Sequence, residues 1–483
     1  MTDSTLAPTR PGGAHGNLIV AVPSISYPVV ELRKIAAVQS YEERMLFVVL
    51  LLADPEVRIV FVTSEVVDPA VVDYYLRFLP DPEDARRRLR LVAVGDPTIG
   101  SLSEKLLARP ADLERLRTAV ADLSDRGSAD GGMLPFNVTG AEQSLADALG
   151  LPLYGPRPDL VWLGSKSGSR QMAMEAGVPV LPGVEDVFSV AELAKAVASL
   201  RDSRPEASAV VVKLNNGFSG QGNAILELDG LADPLTASAT VFCAPEESWP
   251  AYEAKIEAEG VIVEEVVRSD GLRSPSVQLQ ISPCGEVEVL STHDQILGGP
   301  QNQVYLGCRF PARSEYRGAI QAEAEKVARV LASRGVTGVF GIDFLVLEDH
   351  VDGERVDGER VDGYRVDGHR VTLSEINLRV GGTTHPYWMA RLTTGGTYDR
   401  TRGELIAGGV AKSYMATDNL KIARLAGSSP AGVIAAVDHA GLAFDPSTGT
   451  GVTLHLLGGV PGHGKLGATC VANSPEAADD TYR

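Results

Sequence analysis

The stretch VTLSEINLRVGGTTHP (371–386) alternates apolar and polar residues through its first half, and the apolar run FGIDFLVLE (340–348) upstream is interrupted by a single acid, Asp343. Alternation with a period of two marks a strand with one polar face, so Glu375, Asn377 and Arg379 project to the same side. If the two stretches pair as a hairpin, Asp343 joins them. Two carboxylates and an amide oxygen form a hard, oxygen-only donor set, suited to Mg²⁺ that also holds phosphate oxygens. Arg379 adds a planar fork that can grip a phosphoryl or carboxylate group. Taken by itself, the pattern E-x-N-x-R also describes an exposed strand with alternating polar residues.

Between the two stretches lie four tandem pentapeptides, VDGER VDGER VDGYR VDGHR (351–370). A period of five would flip the side-chain face of a strand at every copy, so the block is not one half-buried strand. Asp-Gly is a tight-turn dipeptide. The simplest reading is a hairpin turn whose local sequence has been duplicated into a projecting, charged loop.

Upstream, VVVKLNNGFSGQGN (210–223) runs from a buried strand into a glycine loop, and AILEL (224–228) forms the return strand. Lys213 leaves the strand, and Gly217, Ser219, Gly220 and Gly222 follow. One ammonium and several backbone N–H groups in this arrangement can cradle a phosphate chain, although a plain flexible hairpin has the same pattern. VIVEEVV (261–267) is an apolar strand ending in two acids, Glu264 and Glu265, in the form of a hinge that can read adenosine. DLVWLGSK (159–166) reads as a short strand delivering Lys166 to the helix that follows.

Further out, NLIVAVPS (17–24), VRIVFVTS (57–64) and RLRLVAVG (88–95) are strands separated by helical segments, which predicts an α/β layer with a mainly parallel sheet. No GxGxxG follows the first of them. The Gly/Ser-rich stretch 124–137 reads as a linker, residues 400–426 as helical, and 432–444 and 452–458 as strands. GVPGHGKL (459–466) imitates a phosphate loop, but Leu466 stands where Ser or Thr must meet the metal, and too little chain follows to complete such a domain.

At 483 residues the chain should form more than one compact unit, and its 44% apolar and 22% charged composition is that of a globular protein with a real core. A net charge of −19 argues against binding nucleic acid through a basic surface. The richest apolar run, Met45 to Ala53, is too short to cross a bilayer, so no membrane role is expected. Four scattered cysteines without ligand spacing suit reduced thiols and a cytoplasmic location.

Lys166, Lys213 with its glycine loop, the acidic pair, Asp343 and E-x-N-x-R, taken in this order, resemble the ATP-grasp superfamily across residues 160–390. SPSVQLQISPCGEVEVLSTHDQIL (274–297), GCRFPA (307–312) and EINLRVGGTTHP (375–386) are similar to peptide ligases of the pheganomycin type, from actinobacterial natural-product pathways. The resemblance implies an α/β and α+β fold with two α+β subdomains clamping ATP. It divides the chain into a disordered leader (1–16), a pre-ATP-grasp α/β domain (17–158), an ATP-grasp domain (159–426) and a C-terminal α+β region (427–483). Within the third unit lie a glycine-loop subdomain (190–268) and the inserted repeat (351–370).

By the same resemblance Lys166 and Lys213 bind ATP, and Gly217, Ser219, Gly220 and Gly222 cover its phosphates. Glu264 and Glu265 meet the adenosine, with the ribose acid open between Glu265 and Asp270. Asp343, Glu375 and Asn377 ligate Mg²⁺. From their own positions, Arg379, Arg309 or loop N–H groups are candidates to stabilise the oxyanion, and His293 and His385 are candidates for the acceptor site, with a structural or rim role as the alternative for each histidine. The implied reaction activates a small-molecule carboxylic acid as an acyl phosphate and couples it to the amine of a peptide or amino acid, releasing ADP and phosphate. A carboxylase- or kinase-type ATP-grasp enzyme and a non-catalytic ATP-binding regulator are the alternatives. A homodimer is the general expectation for assembly.

Overall fold

The computed structural model describes residues 10–11, 16–124, 131–217, 222–228, 240–244, 247–269, 271–298, 304–348, 350–351, 354–355, 364–366 and 368–483. Most of the predicted leader, Ser219, Gly220, Asp270 and most of the VDG block lie outside the described residues.

Strands β1 (Leu18–Val22), β2 (Arg58–Thr63), β3 (Leu89–Ala93) and β4 (Gly131–Pro135) pair in parallel in the order β3–β2–β1–β4. This is the predicted α/β layer, with one strand more than the sequence reading found. β4 occupies the end of the stretch read as a linker. Glycine is a poor strand former, but here its small size is required. A Cβ on Gly131 would fall 2.5 Å from the Leu18 carbonyl oxygen, and one on Gly132 would fall 2.4 Å from the Tyr154 ring. The apolar run within Val38–Ala53 forms a buried 3₁₀ helix whose Phe47 stacks on Trp388 at 6.3 Å.

The second layer is an antiparallel sheet of β5 (Gly183–Val187), β6 (Ala209–Leu214), β7 (Asn223–Glu227), β8 (Thr240–Phe242) and β9 (Val261–Glu265), ordered β5–β9–β6–β7–β8. Its two faces differ. On one, Val210, Val212, Leu214 and Leu226 pack against the helices Val190–Ser203 and Trp249–Glu259. The other carries a small apolar patch of Ala209, Val211 and Ile225, with Lys213 and Glu264 beside it by strand alternation.

The third layer contains β10 (Leu272–Arg273), β11 (Pro275–Ile281), β12 (Val287–Gly298), β13 (Val304–Phe310) and β14 (Gly338–Glu348). β15 (His350–Val351) and β16 (Glu354–Arg355) form a separate short hairpin. β17 (Tyr364–Val366), β18 (His369–Asn377), β19 (Thr397–Asp399), β20 (Glu404–Ala407), β21 (Val410–Lys421), β22 (Gly451–His455) and β23 (Lys465–Ala472) complete the layer. Its main path is β17–β18–β14–β11–β12–β13–β21–β20–β19. β14 and β18 are antiparallel partners on either side of the repeat block, as the hairpin reading required.

Three local expectations are corrected. DLVWLG is a 3₁₀ turn (Pro158–Gly164), not a strand; Pro158 opens it with a fixed φ suited to a helical start. Residues 404–421 form two strands rather than a helix. β21 is buried along most of its length, which hides the alternation that would mark a strand. Residues 430–439 form a helix rather than a strand, capped by Ser429 with Pro430 in its first turn. β21 and β23 pair directly, so the sheet runs across the expected boundary at residue 426. Among the described residues no helix is long and apolar enough to cross a membrane.

Candidate active site

The β14–β18 register places Asp343 directly opposite Glu375, with a bulge between Asp343 and Phe344. Asn377 bridges the two acids, its Nδ2 donating to Asp343 at 3.1 Å and to Glu375 at 3.0 Å, while its Oδ1 accepts from Arg379. Among the described residues Asp343 forms no ion pair, although the Arg379 charge favours its ionised form. Burial and the neighbouring Glu375 carboxylate push its carboxyl up, toward about 7, with Ser276 and Gln295 donating hydrogen bonds that oppose the rise. Burial also raises Glu375, but Lys166 outweighs it and holds that carboxyl low. The donor set fits a hard cation: two carboxylates and one amide that presents its oxygen after a flip, with no ion pair on Asp343.

Lys166 is the first residue of the helix Lys166–Glu175, capped by Ser165. A cation at this end opposes the helix dipole, so local preference does not account for it. Its Nζ forms an ion pair with Glu375 and donates to the Gly217 carbonyl at 3.3 Å. Ser167 N–H donates to Asn215 Oδ1, and Ser169 Oγ accepts from Ile376 N–H. The start of this helix therefore ties the glycine loop to the carboxylate strand. Gly222 closes that loop at φ +90°, where a Cβ would be strained and would lie 3.0 Å from Leu214.

Lys213 donates to Glu264 at 2.7 Å, and Arg170 donates to the other oxygen of Glu264 at 2.6 Å. Burial raises the Glu264 carboxyl, yet Lys213 and Arg170 together hold it below its ordinary value. Arg170 was missed in the sequence. Its signal was its place four residues after Lys166, which puts both cations on one helix face. Glu265 projects to the opposite side of β9 and accepts from Arg204 at 3.1 Å, so the two hinge acids do not share a face.

Three predicted residues lie apart from this cluster. Arg309 is exposed on β13 and pairs with Asp479 at 2.8 Å, so the structure does not bring it to the oxyanion position. His293 is fully buried against Phe310, bonds Tyr414 at 2.6 Å, and is driven by burial to about 3, which makes it a neutral core residue. His385 is buried against His455, with 2.9 Å between their Nε2 atoms, and burial lowers it strongly. Neither histidine lines the cavity at the Asp343–Glu375 wall.

That cavity, of about 330 Å³, has Asp343, Glu375, Asn377 and Arg379 on one wall. Ile25, Tyr27 and Phe136 also line it, just past the carboxyl ends of β1 and β4. These strands neighbour each other at the point where the first sheet reverses its order, the usual place for a ligand crevice in open α/β sheets.

The family model described as IQCH-like, ATP-grasp, matches residues 160–234 and 228–356, and the PGM1 C-terminal domain model matches 432–483. A protein of Streptantibioticus cattleyicolor, an L-propargylglycine–L-glutamate ligase, is 32% identical over 97% of this chain and 93% of its own length. The chain belongs to the ATP-grasp carboxylate–amine ligases. Its fold is also that of an N5-carboxyaminoimidazole ribonucleotide synthetase solved with ADP (14% identity, TM-score 0.52, covering 97% of this chain and 96% of that one). The biotin carboxylase domain of Hydrogenobacter thermophilus 2-oxoglutarate carboxylase, solved with MgADP, ADP and bicarbonate, is similar at 13% identity and TM-score 0.53 (97% and 89% covered). The ligase is thus an enzyme that forms a C–N bond at the expense of ATP.

Proposed function

We propose that this ATP-grasp ligase activates the carboxylate of an amino acid, ordinary or modified, as an acyl phosphate and joins it to the amine of an amino acid or short peptide. The observation that carries this reading is the facing of Asp343 and Glu375 across one β-ladder, with Lys166 linking Glu375 to the glycine loop. The relative that joins L-propargylglycine and L-glutamate supports amino-acid substrates on both sides of the bond, in the peptide natural-product setting that the pheganomycin resemblance implied. The domain division at 158 and a cytoplasmic location belong to the same proposal.

ATP lies between the face of the five-stranded sheet that carries Lys213 and Glu264 and the carboxylate wall. Val211 and Ile225 offer an apolar seat, and Lys213 and Lys166 face the phosphates. Asp343, Glu375 and Asn377 would hold Mg²⁺, which supplies charge neutralisation on the phosphoryl oxygens. A carboxylate oxygen attacks the γ-phosphorus, and the bond to the ADP oxygen breaks. The amine nitrogen then attacks the acyl carbon, the C–O bond to phosphate breaks, and phosphate and a proton leave. Arg379 is placed to steady the oxyanion of that second step, the role that Arg309 is too remote to share. Exclusion of water protects the acyl phosphate from hydrolysis.

Trapping decides the matter. ATP, Mg²⁺ and an amino-acid panel with hydroxylamine should give a hydroxamate and equimolar ADP. ATP binding without hydroxamate from any acid would favour the non-catalytic regulator.

A further inference from the structure

A second wall of the cavity is built from opposite ends of the chain. The 3₁₀ helix Val38–Ala53 contributes Tyr41 and Arg44, β21 and its approach contribute Asp418 and Lys421, and β23 contributes Lys465. Three cations meet one acid there. Arg44 pairs with Asp418. Lys465 is only 4% exposed, yet its partners are neutral: Tyr41 OH at 2.6 Å and the Ala36 carbonyl at 3.4 Å. Lys421 has no ion-pair partner among the described residues. A buried ammonium without a direct ion-pair partner is costly, and burial lowers Lys465 to about 8 although the nearby Asp418 opposes the fall. An anion arriving in the cavity relieves that cost.

Among the described residues none between 137 and 275 lines the cavity, so its described walls lie outside the nucleotide-facing sheet. The acid being activated must place its carboxylate at the Asp343–Glu375 wall, beside the phosphates. A donor amino acid would bring an ammonium group, for which a cationic wall is a poor partner, and Asp418 is already engaged by Arg44. The amine substrate has the complementary layout: a nitrogen that must point at the acyl carbon, and a carboxylate a few bonds behind it.

We propose that Arg44, Lys421 and Lys465 form a carboxylate subsite for the amine substrate. This selects a free amino acid, or another amine with a carboxylate close to its nitrogen, over an amine whose neighbouring carboxyl is blocked. The inference rests on the ligase reading above and adds the class of the second substrate.

The test compares two acceptors on one activated acid. Hydroxylamine has no carboxylate and needs no such subsite, whereas an amino acid does. With the wild-type enzyme, the amino acid should exceed its own carboxamide at least tenfold in kcat/KM. In Lys465→Gln, and independently in the more exposed Lys421→Gln, the ratio of peptide-forming to hydroxamate-forming rate should fall at least tenfold, chiefly through KM of the amino acid. Hydroxamate formation itself reports that each variant has folded. A carboxamide as good as the free acid overturns the proposal. So does a ratio that stays constant because both rates fall together, which would place the donor on this wall. A wild-type enzyme that forms no hydroxamate with any acid removes the ligase reading, and this inference with it.

Discussion

Two acids, the fully buried Glu264 and the half-buried Asp343, sit on neighbouring sheets and are driven in opposite directions. Glu264 has a cation on each oxygen and is held below its ordinary value after the cost of burial. Asp343 faces another carboxylate across an amide and is pushed up. A closed cluster of this kind positions Lys213 and asks for nothing more. An open one, with two carboxylates face to face, is the candidate for a divalent cation. Neighbouring charge rather than burial alone therefore separates a positioned lysine from a candidate metal site.

The largest effect should come from breaking the open cluster. Glu375→Gln removes one proposed metal ligand and the partner of Lys166, and hydroxamate formation should fall by about 10³-fold or more. Breaking the closed cluster should cost less chemistry and more nucleotide affinity. Lys213→Met leaves Glu264 with Arg170 alone, and calorimetry should show ADP binding weakened by about 10- to 100-fold, about 1.4–2.8 kcal/mol.

Asp343→Asn sharpens the contrast further. Without Mg²⁺ the variant should melt above the wild type, because a like-charge contact is gone, and Mg²⁺ with ADP should stabilise it less. The pH dependence has a fixed sign. A carboxyl raised in the folded state binds more protons than in the unfolded chain, so its contribution to stability falls as pH rises from about 4 toward neutrality. Saturating Mg²⁺ should flatten that decline in a thermal-shift series. The smallest effect is expected at Arg309→Ala. Its exposed pair with Asp479 contributes at most about 1 kcal/mol before screening, and activity should stay within about twofold.

The open cluster was legible because strand alternation and hairpin pairing are periodic rules, and these alone bring Asp343 to Glu375. Lys166 was found by its order in the chain, although the element before it is a 3₁₀ turn rather than a strand. The strand at Gly131 and Gly132 was hidden because its glycines answer to the Leu18 backbone and the Tyr154 ring, contacts that no local pattern encodes. The second wall was equally hidden. Arg44, Asp418 and Lys465 are scattered along the chain, and only the pairing of β21 with β23 and the packing of the 3₁₀ helix Val38–Ala53 bring them together. Lys465 drew notice only inside a false phosphate loop, yet it reaches the cavity by another route, at the start of a strand. His293 and His385 were misplaced because a histidine in a strand or helix gives no sign of which neighbours will bury it.

The contrast between the two acids is tested most directly by counting bound Mn²⁺ by electron paramagnetic resonance, with ADP present, in the wild type, Asp343→Asn and Glu264→Gln. The expected result is tight Mn²⁺ binding in the wild type and in Glu264→Gln at saturating ADP, and its loss or severe weakening in Asp343→Asn. Undiminished Mn²⁺ binding in Asp343→Asn, with loss in Glu264→Gln, would contradict the assignment of the cation to the open cluster.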